Sequence, residues 1–523
     1  MQRRLVRALL ALAIAFGALA APAAAEHDGD SDVFGLTKLF NSPNATGAIN
    51  SDLAFWGNRA YPGNYDGFRI FDISNPAGPV RLVDFRCHGP QNDTVVWRNQ
   101  LLFTAIDRTQ TGPECGSVDT VAHDDPNGWE GVRIFDVSNP AAPRQITSVY
   151  TDCGAHTITL YPKNPAQILL YVSSYPLRPG PTCGPVRGPA NGNSPLHEKI
   201  SVIRVPVNNP KAAKVIAEPK ISYPGDPDNA FDPDEHGLHG FNDLTGCHDI
   251  GVFVDLRLAA AACAEQVQLW RIKPNGIPDT QRHVWVFDDN VDTNGAGNRS
   301  DVAVDFWHTA RFTWDGKYVQ ADDESFGNGC PTVTNEYRSG PADPTVEPAD
   351  TGSPHLLDAG NGQRTSHFTP TRPPEDGYCS MHQGNYVRTA DGYFSVNAWY
   401  EWGVNVIDWS DPFNPREIAS YDVDSDNWAA YWYEGPSLPE ASLTIYGTDG
   451  VEDPPTGEGF QVFRAGTDLS EDKLGHLNPQ TQEGPLAAGA RSSAGSRKRS
   501  SASARARGSR RATSGRGARH LAP

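Results

Sequence analysis

Three stretches of this chain are close copies of one another: residues 67–79 (GFRIFDISNPAGP), 131–143 (GVRIFDVSNPAAP) and 403–415 (GVNVIDWSDPFNP). Each opens on Gly, runs through β-branched and aromatic residues to an Asp, and ends in an Asn-Pro or Asp-Pro turn. The apolar run reads as a strand. The Pro-bearing segment stops it, because proline has no amide to give to a sheet ladder. Weaker copies occur at 200–210 (ISVIRVPVNNP), 267–278 (VQLWRIKPNGIP) and 459–464 (GFQVFR), and SPHLLD around His355 is the poorest. A supersecondary unit repeated along a chain has to bury its faces against its own copies, which restricts the fold to a few repeat architectures.

A second element precedes each copy. It can be aligned as 51–56 (SDLAFW), 92–97 (NDTVVW), 156–161 (HTITLY), 248–253 (HDIGVF), 308–313 (HTARFT), 382–387 (HQGNYV) and 427–432 (NWAAYW). Most are followed within a few residues by another apolar strand, such as QILLYVSS (167–174) or KYVQADDE (317–324). The unit is then strand, hairpin, strand, loop, strand, turn, strand. That predicts an all-β chain, a seven-bladed β-propeller of four-stranded antiparallel blades over residues 33–466. A row of separate sandwiches would need linkers, and the sequence has none there. The strand-like segment VFGLTKLF (33–40) is expected to complete the last blade outside GFQVFR and so close the ring.

The IFDISNPAGPV and IFDVSNPAAP strings resemble LVIVD repeats, which occur in exported and surface-associated bacterial and archaeal proteins. The resemblance runs over nearly the whole body. It implies the propeller fold and says almost nothing about activity.

The ends of the chain differ from the body. Arg3, Arg4 and Arg7, an apolar run from Ala8 to Ala21 and the triplet Ala23-Ala24-Ala25 read as a signal peptide over residues 1–25. No later run is apolar enough to span a bilayer. Residues 467–523 are expected to be a disordered tail, basic and rich in Ser, Ala and Arg. Ten Lys or Arg and no acid follow Glu483, so the tail could contact an anionic envelope polymer. All 63 acidic residues lie at or before Glu483, which leaves the body strongly negative and argues against a nucleic-acid partner. The expected location is secreted, extracellular or in the cell envelope.

Eight cysteines suit that location. Blade geometry predicts Cys87–Cys115, Cys153–Cys183 and Cys247–Cys263 within blades, and Cys330–Cys379 between adjacent blades. The rival pairs Cys115–Cys153 and Cys183–Cys247 would strand Cys87 and Cys263 in blades that do not touch.

No GxSxG elbow, HExxH, P-loop or strand-borne GxGxxG is present. The chemical signal lies in the aligned inner strands. Their first column reads Ser51, Asn92, His156, His248, His308, His382 and Asn427, so histidine falls in four consecutive blades. The next column is also polar, with Asp52, Asp93, Thr157, Asp249, Thr309 and Gln383. An apolar core is not written this way. The histidines either line a wet channel, satisfied by water and backbone, or bind copper or zinc as neutral imidazoles, with Asp93 and Asp249 orienting the rings. The layer is similar in outline to the channel histidines of the selenium-binding protein and methanethiol oxidase propellers, without a shared motif string. A calcium loop is a further candidate at Asn290, Asp292, Asn294 and Asp301, although an Asn/Gly-rich turn reads the same way. Two functions follow. One is a binding or scaffolding protein that offers a propeller face to a cell-surface protein, glycan or small ligand. The other is a metal-dependent oxidoreductase built on the four histidines.

Overall fold

The computed structural model describes residues 33–174, 180–183, 197–222, 246–263, 266–288, 306–324, 352–368, 380–423, 426–435, 442–450, 458–467 and 469–482. Residues 1–25, expected to be a signal peptide, the candidate calcium loop with Asn290, Asp292, Asn294 and Asp301, both Cys330 and Cys379, and the chain after Gln482 lie outside these residues.

Seven antiparallel sheets stand in a ring, each built on four strands. The innermost strands of blades 1 to 7 are Asn50–Trp56, Gln91–Trp97, Thr157–Asn164, Ile250–Phe253, Trp307–Phe312, Met381–Tyr386 and Asn427–Trp432. In blades 1 to 6 the remaining strands follow outward in chain order, as in blade 2 with Leu101–Gln110, Trp129–Asp136 and Arg144–Tyr150. Helix among the described residues is a single 3-10 turn, Pro210–Ala212. This is a seven-bladed β-propeller. None of the described helix is long and apolar enough to cross a membrane.

The last blade borrows its outer strand. Leu36–Pro43 pairs antiparallel with Gly459–Ala465, the third strand of blade 7, in the register Leu36 to Ala465 and Pro43 to Gly459. The start of the chain therefore covers the edge that the end would leave open.

The repeat motif can now be explained atom by atom. The Asp that ends each third strand folds its carboxylate onto the turn. Asp72 Oδ1 accepts from the Ser74 amide at 2.8 Å, Asp136 Oδ1 from Ser138 at 3.0 Å and Asp408 Oδ1 from Ser410 at 2.8 Å. These Asx turns replace the ladder bonds that the proline cannot make. The leading glycine has a different cause. Gly131 has φ +133°, and a Cβ there would stand 2.3 Å from the Val149 carbonyl oxygen.

The Arg of the motif is buried. Arg69 on the third strand of blade 1 donates from Nη1 to the carbonyls of Ser42 at 2.8 Å and Pro43 at 3.2 Å, and from Nη2 to Asn50 Oδ1 at 3.0 Å. It therefore ties the closing strand of blade 7 to the inner strand of blade 1. Burial pulls its pKa down to about 10, so it still carries its charge at neutral pH. Arg133, at the same place in blade 2, donates to the carbonyls of Pro113 at 3.0 Å and His88 at 2.5 Å. Between blades the packing is aromatic and aliphatic. Trp56 meets Trp97 edge-on at 5.4 Å, and Phe253 meets Phe312 at 5.7 Å.

Three disulfides are formed, Cys87–Cys115, Cys153–Cys183 and Cys247–Cys263, as the blade geometry predicts. Cys330–Cys379 falls outside the described residues. Residues 469–482 depart from the expectation of a tail without structure from 467 onward. Glu471 bridges to Thr389, His476 and Leu477 pair with Trp56 and Phe55, and Thr481 pairs with Val252.

Arg69 supports a direct test. Arg69→Ala removes the bracket at the ring closure and leaves two backbone carbonyls without their donor. It should cost about 3–5 kcal/mol, the range for breaking a buried charged network. Arg98→Ala, on an exposed hairpin, should change little. Chemical denaturation of both variants measures the difference.

Candidate functional site in the central channel

The four histidines of the first column meet as predicted. They form an arc around one side of the channel, with ring centroids 4.5 Å apart for His156–His248, 3.7 Å for His248–His308 and 4.2 Å for His308–His382. On the other blades the same column turns away from the axis. Ser51 Oγ donates to the Asn92 carbonyl at 3.2 Å, and Asn427 Nδ2 donates to Gln461 at 3.1 Å within its own blade.

The four rings do not have equal surroundings. His156 places Nδ1 2.8 Å from Asp107 Oδ2 and Nε2 3.0 Å from the Gln91 amide nitrogen, so both ring nitrogens are engaged. His382 donates from Nδ1 to the Trp428 carbonyl at 2.6 Å, which leaves the Nε2 lone pair free for another partner. Metal-bound imidazoles are commonly held this way by the nitrogen that does not bind the metal. His308 is fully buried and neither of its ring nitrogens has a hydrogen-bond partner. An unpaired buried polar group of this kind costs about 1–3 kcal/mol.

Glu324 completes the group. It follows the second strand of blade 5, Tyr318–Asp323, and its carboxylate enters the channel beside the rings. Oε2 lies 3.7 Å from His308 Nε2 and Oε1 lies 3.8 Å from His382 Nε2. These separations are long for hydrogen bonds. They suit two atoms that share an ion at bond lengths of about 2.0–2.2 Å. Tyr400 donates to Glu324 Oε1 at 2.7 Å and holds the carboxylate in place. Two sets of ligand atoms lie within 4.8 Å of one another, His308 with Glu324 and His382, and His248 with Asp249 and His308.

Of the two acids expected to orient rings, Asp249 does stand beside one, with Oδ1 3.4 Å from His248 Nδ1. Asp93 instead accepts from the Ile158 amide at 2.7 Å and belongs to a layer of acids beneath the histidines. In that layer Asp52 accepts from Tyr431 at 2.6 Å and from Gln480 at 3.3 Å. Gln480 belongs to the segment 469–482. That segment passes the far ends of the inner strands in turn, bonding to Arg388 O, Glu434 O, Val96, Leu160 O and Val252. The end of the channel away from the histidines is thus filled by chain.

Burial sets the protonation states. It lowers His248 to about 4, an effect that Asp249 partly offsets, and His382 to about 3. Burial, then the neighbouring His248 and His382, carries His308 well below the ordinary imidazole range. All three rings are therefore neutral at physiological pH, the form that binds metal. Burial raises Glu324 to about 7. In the lower layer burial raises Asp52 to about 6, and burial together with Asp52 raises Asp93 well above its usual value.

Glu324, Tyr400 and residues 469–482 were not legible as site components. The one trace of Glu324 was its run, Asp322-Asp323-Glu324, three acids at the end of a strand that is otherwise packed in the ring.

The fold and this polar channel define the class: a seven-bladed propeller with an arc of buried histidines at its axis. The LVIVD repeat model matches residues 49–84 and 127–151, in the first two blades. No curated protein matches the chain in sequence. Solved propellers resemble it at low identity. The Pseudomonas aeruginosa periplasmic gluconolactonase PpgL is 12% identical with a TM-score of 0.46, covering 82% of this chain and 99% of its own. A Bacteroides uniformis protein assigned as a 6-phosphogluconolactonase is 12% identical with a TM-score of 0.44, covering 81% and 96%. The Myceliophteria thermophila Cps50 (Swd1) β-propeller domain is 9% identical with a TM-score of 0.41, covering 83% and 100%.

The buried carboxyls away from the histidine arc generate a pH prediction. Burial raises Glu130 to about 8, and raises Glu434, Asp449 and Glu471 to about 7. Their folded pKa values lie above the unfolded ones, so the folded state takes up protons first as pH falls. Stability should rise from pH 8.5 to 7, a window that lies above the unfolded histidine value of about 6.5. Below about 6.5, the unfolded histidine value, the lowered rings oppose any further gain. Glu130→Gln should flatten the upper part of the rise and stabilise the protein at pH 8.5. Melting temperatures of both proteins across that range measure this.

Proposed function

We propose that the protein is an exported, metal-dependent propeller whose working part is the channel centre, with one copper or zinc ion held by His308, His382 and Glu324. The observation that carries this reading is His308. A fully buried imidazole with neither nitrogen bonded, facing a carboxylate at 3.7 Å, is costly in a scaffold and natural in a metal centre. The Trp428 carbonyl on His382 and the Tyr400 hydroxyl on Glu324 supply the outer contacts that fix ligand orientation. Copper in this position would support oxidoreductase chemistry. The scaffolding function has no comparable site in its favour.

Export rests on the leader-like N-terminus and on three disulfides, which persist in oxidising compartments. The basic residues after Glu483 suit contact with an anionic envelope polymer.

Elemental analysis of protein purified without chelators should find copper or zinc in stoichiometric amount. His308→Ala and His382→Ala should each abolish that retention, and Glu324→Gln should weaken it at least tenfold. His156→Ala should leave it intact, because His156 already bonds to Asp107 and Gln91. Added metal should raise the melting temperature of the stripped parent and leave the His308→Ala protein unchanged. Sequence alone suggests that occupancy falls as pH drops through about 6.5. Burial keeps His382 neutral far below that pH, with its value lowered to about 3. Burial raises Glu324 to about 7, so occupancy should fall from about pH 7 downward as Glu324 takes up the proton that competes with the metal. Protein that takes up no transition metal at micromolar concentration would leave the histidines as channel lining.

A further inference from the structure

We propose that the channel holds two metal ions rather than one, with His308 bridging them as an imidazolate. The inference rests on the metal reading above and extends it to a second site, on the other side of the His308 ring. Two ligand sets share this one residue: His308, Glu324 and His382 on one side, and His308, His248 and Asp249 on the other. His308 sits between His248 and His382, with ring centroids at 3.7 and 4.2 Å. Its Nε2 faces Glu324 at 3.7 Å and serves the first set. Its Nδ1 is equally buried and equally without a hydrogen-bond partner, and it is left for the second.

The second set has the properties expected of ligands. Asp249 Oδ2 accepts from the Gln383 amide, which fixes the carboxylate plane, while Oδ1 has no hydrogen-bond donor. Oδ1 stands 3.4 Å from His248 Nδ1, again the spacing of two atoms bound to one ion rather than of a short ion pair. The backbone holds both residues rigidly. The His248 amide donates to the Ala262 carbonyl at 2.8 Å and the Asp249 amide donates to the His308 carbonyl at 3.0 Å. The Cys247–Cys263 disulfide staples the same two strands immediately beside His248. Nitrogen and oxygen donors in this mixture suit copper or zinc.

The first ion binds the lone pair of neutral His308 at Nε2, and the ring keeps its proton on Nδ1. The second ion takes the place of that proton, which leaves for solvent, so the ring ends as an anion bonded to both metals. Binding of the second equivalent should therefore release one more proton than the first does at that ring.

Copper(II) alone is the probe. The full-length mature protein, stripped by chelator and dialysed, is titrated while bound copper and the electron paramagnetic resonance spin count are followed. Two equivalents should bind. The first should give the full signal of an isolated ion. The second should reduce the integrated signal well below two spins, because the bridging ring couples the ions. His248→Ala and Asp249→Ala, each confirmed as folded by circular dichroism, should hold one equivalent at full spin intensity. Saturation of the parent at one equivalent would overturn the bridge and leave the single-ion reading standing. Two equivalents with two full, uncoupled spins would also overturn the bridge. Binding of no copper at all would remove both.

Discussion

Antiparallel pairing of Leu36–Pro43 with Gly459–Ala465 joins the two ends of the described ring, and everything at the axis depends on it. A row of blades that did not close would have no channel, and the inner strands would be separate edges. Closure fixes the angle between neighbouring blades, and with it the spacing of equivalent positions around the axis. Arg69 reinforces the joint with one guanidinium, which reaches the carbonyls of Ser42 and Pro43 and the side chain of Asn50. The arginine lies within the repeat motif itself, so the motif that builds a blade also joins blades. Arg133 has the same task between blade 2 and the His88 carbonyl at its edge.

Closure also explains how the axis can be so polar. Each blade buries its apolar residues against its neighbours, as in the cluster of Val95, Phe103, Ile134, Ile158 and Leu170. Because the apolar burial is met between blades, the innermost residues are free to carry imidazoles and carboxylates. They are nonetheless removed from water, since residues 469–482 fill one end of the channel. Burial lowers His248, His308 and His382 and raises Asp52, Asp93 and Glu324. The result is an arc of rings, three of them held neutral, above a layer of buried carboxyls, assembled by strands whose main task is structural.

The two ends of the inner strands serve different purposes. At their starts, disulfides lie next to the site residues: Cys153 is three positions before His156 and Cys247 is adjacent to His248. At their far ends the chain returns after completing the ring, and Asn478, Gln480 and Thr481 bond to blades 2, 4 and 3. The first arrangement anchors the backbone beside His156 and His248, and the second fills the channel at that end.

The sequence by itself determined the blade count, the strand order, the closing strand, three disulfide pairs and the histidine column. All of these are periodic or local. Repeated strands put equivalent residues at equivalent heights, so a column of His156, His248, His308 and His382 can be read by alignment alone. What the sequence could not determine depends on distances between segments that share no period. Glu324 reaches the rings from the end of a second strand, with no motif around it. Residues 469–482 have too little apolar content to be distinguished from a tail, and they are ordered by backbone and amide bonds to strands more than 200 positions away. Likewise the division of the histidines, His156 bonded to Asp107 and Gln91 while His308 is left with two bare nitrogens, was decided only by tertiary structure. A column of identical residues fixes where each ring begins, but the neighbours that the folded ring brings to it decide which of its nitrogens are free.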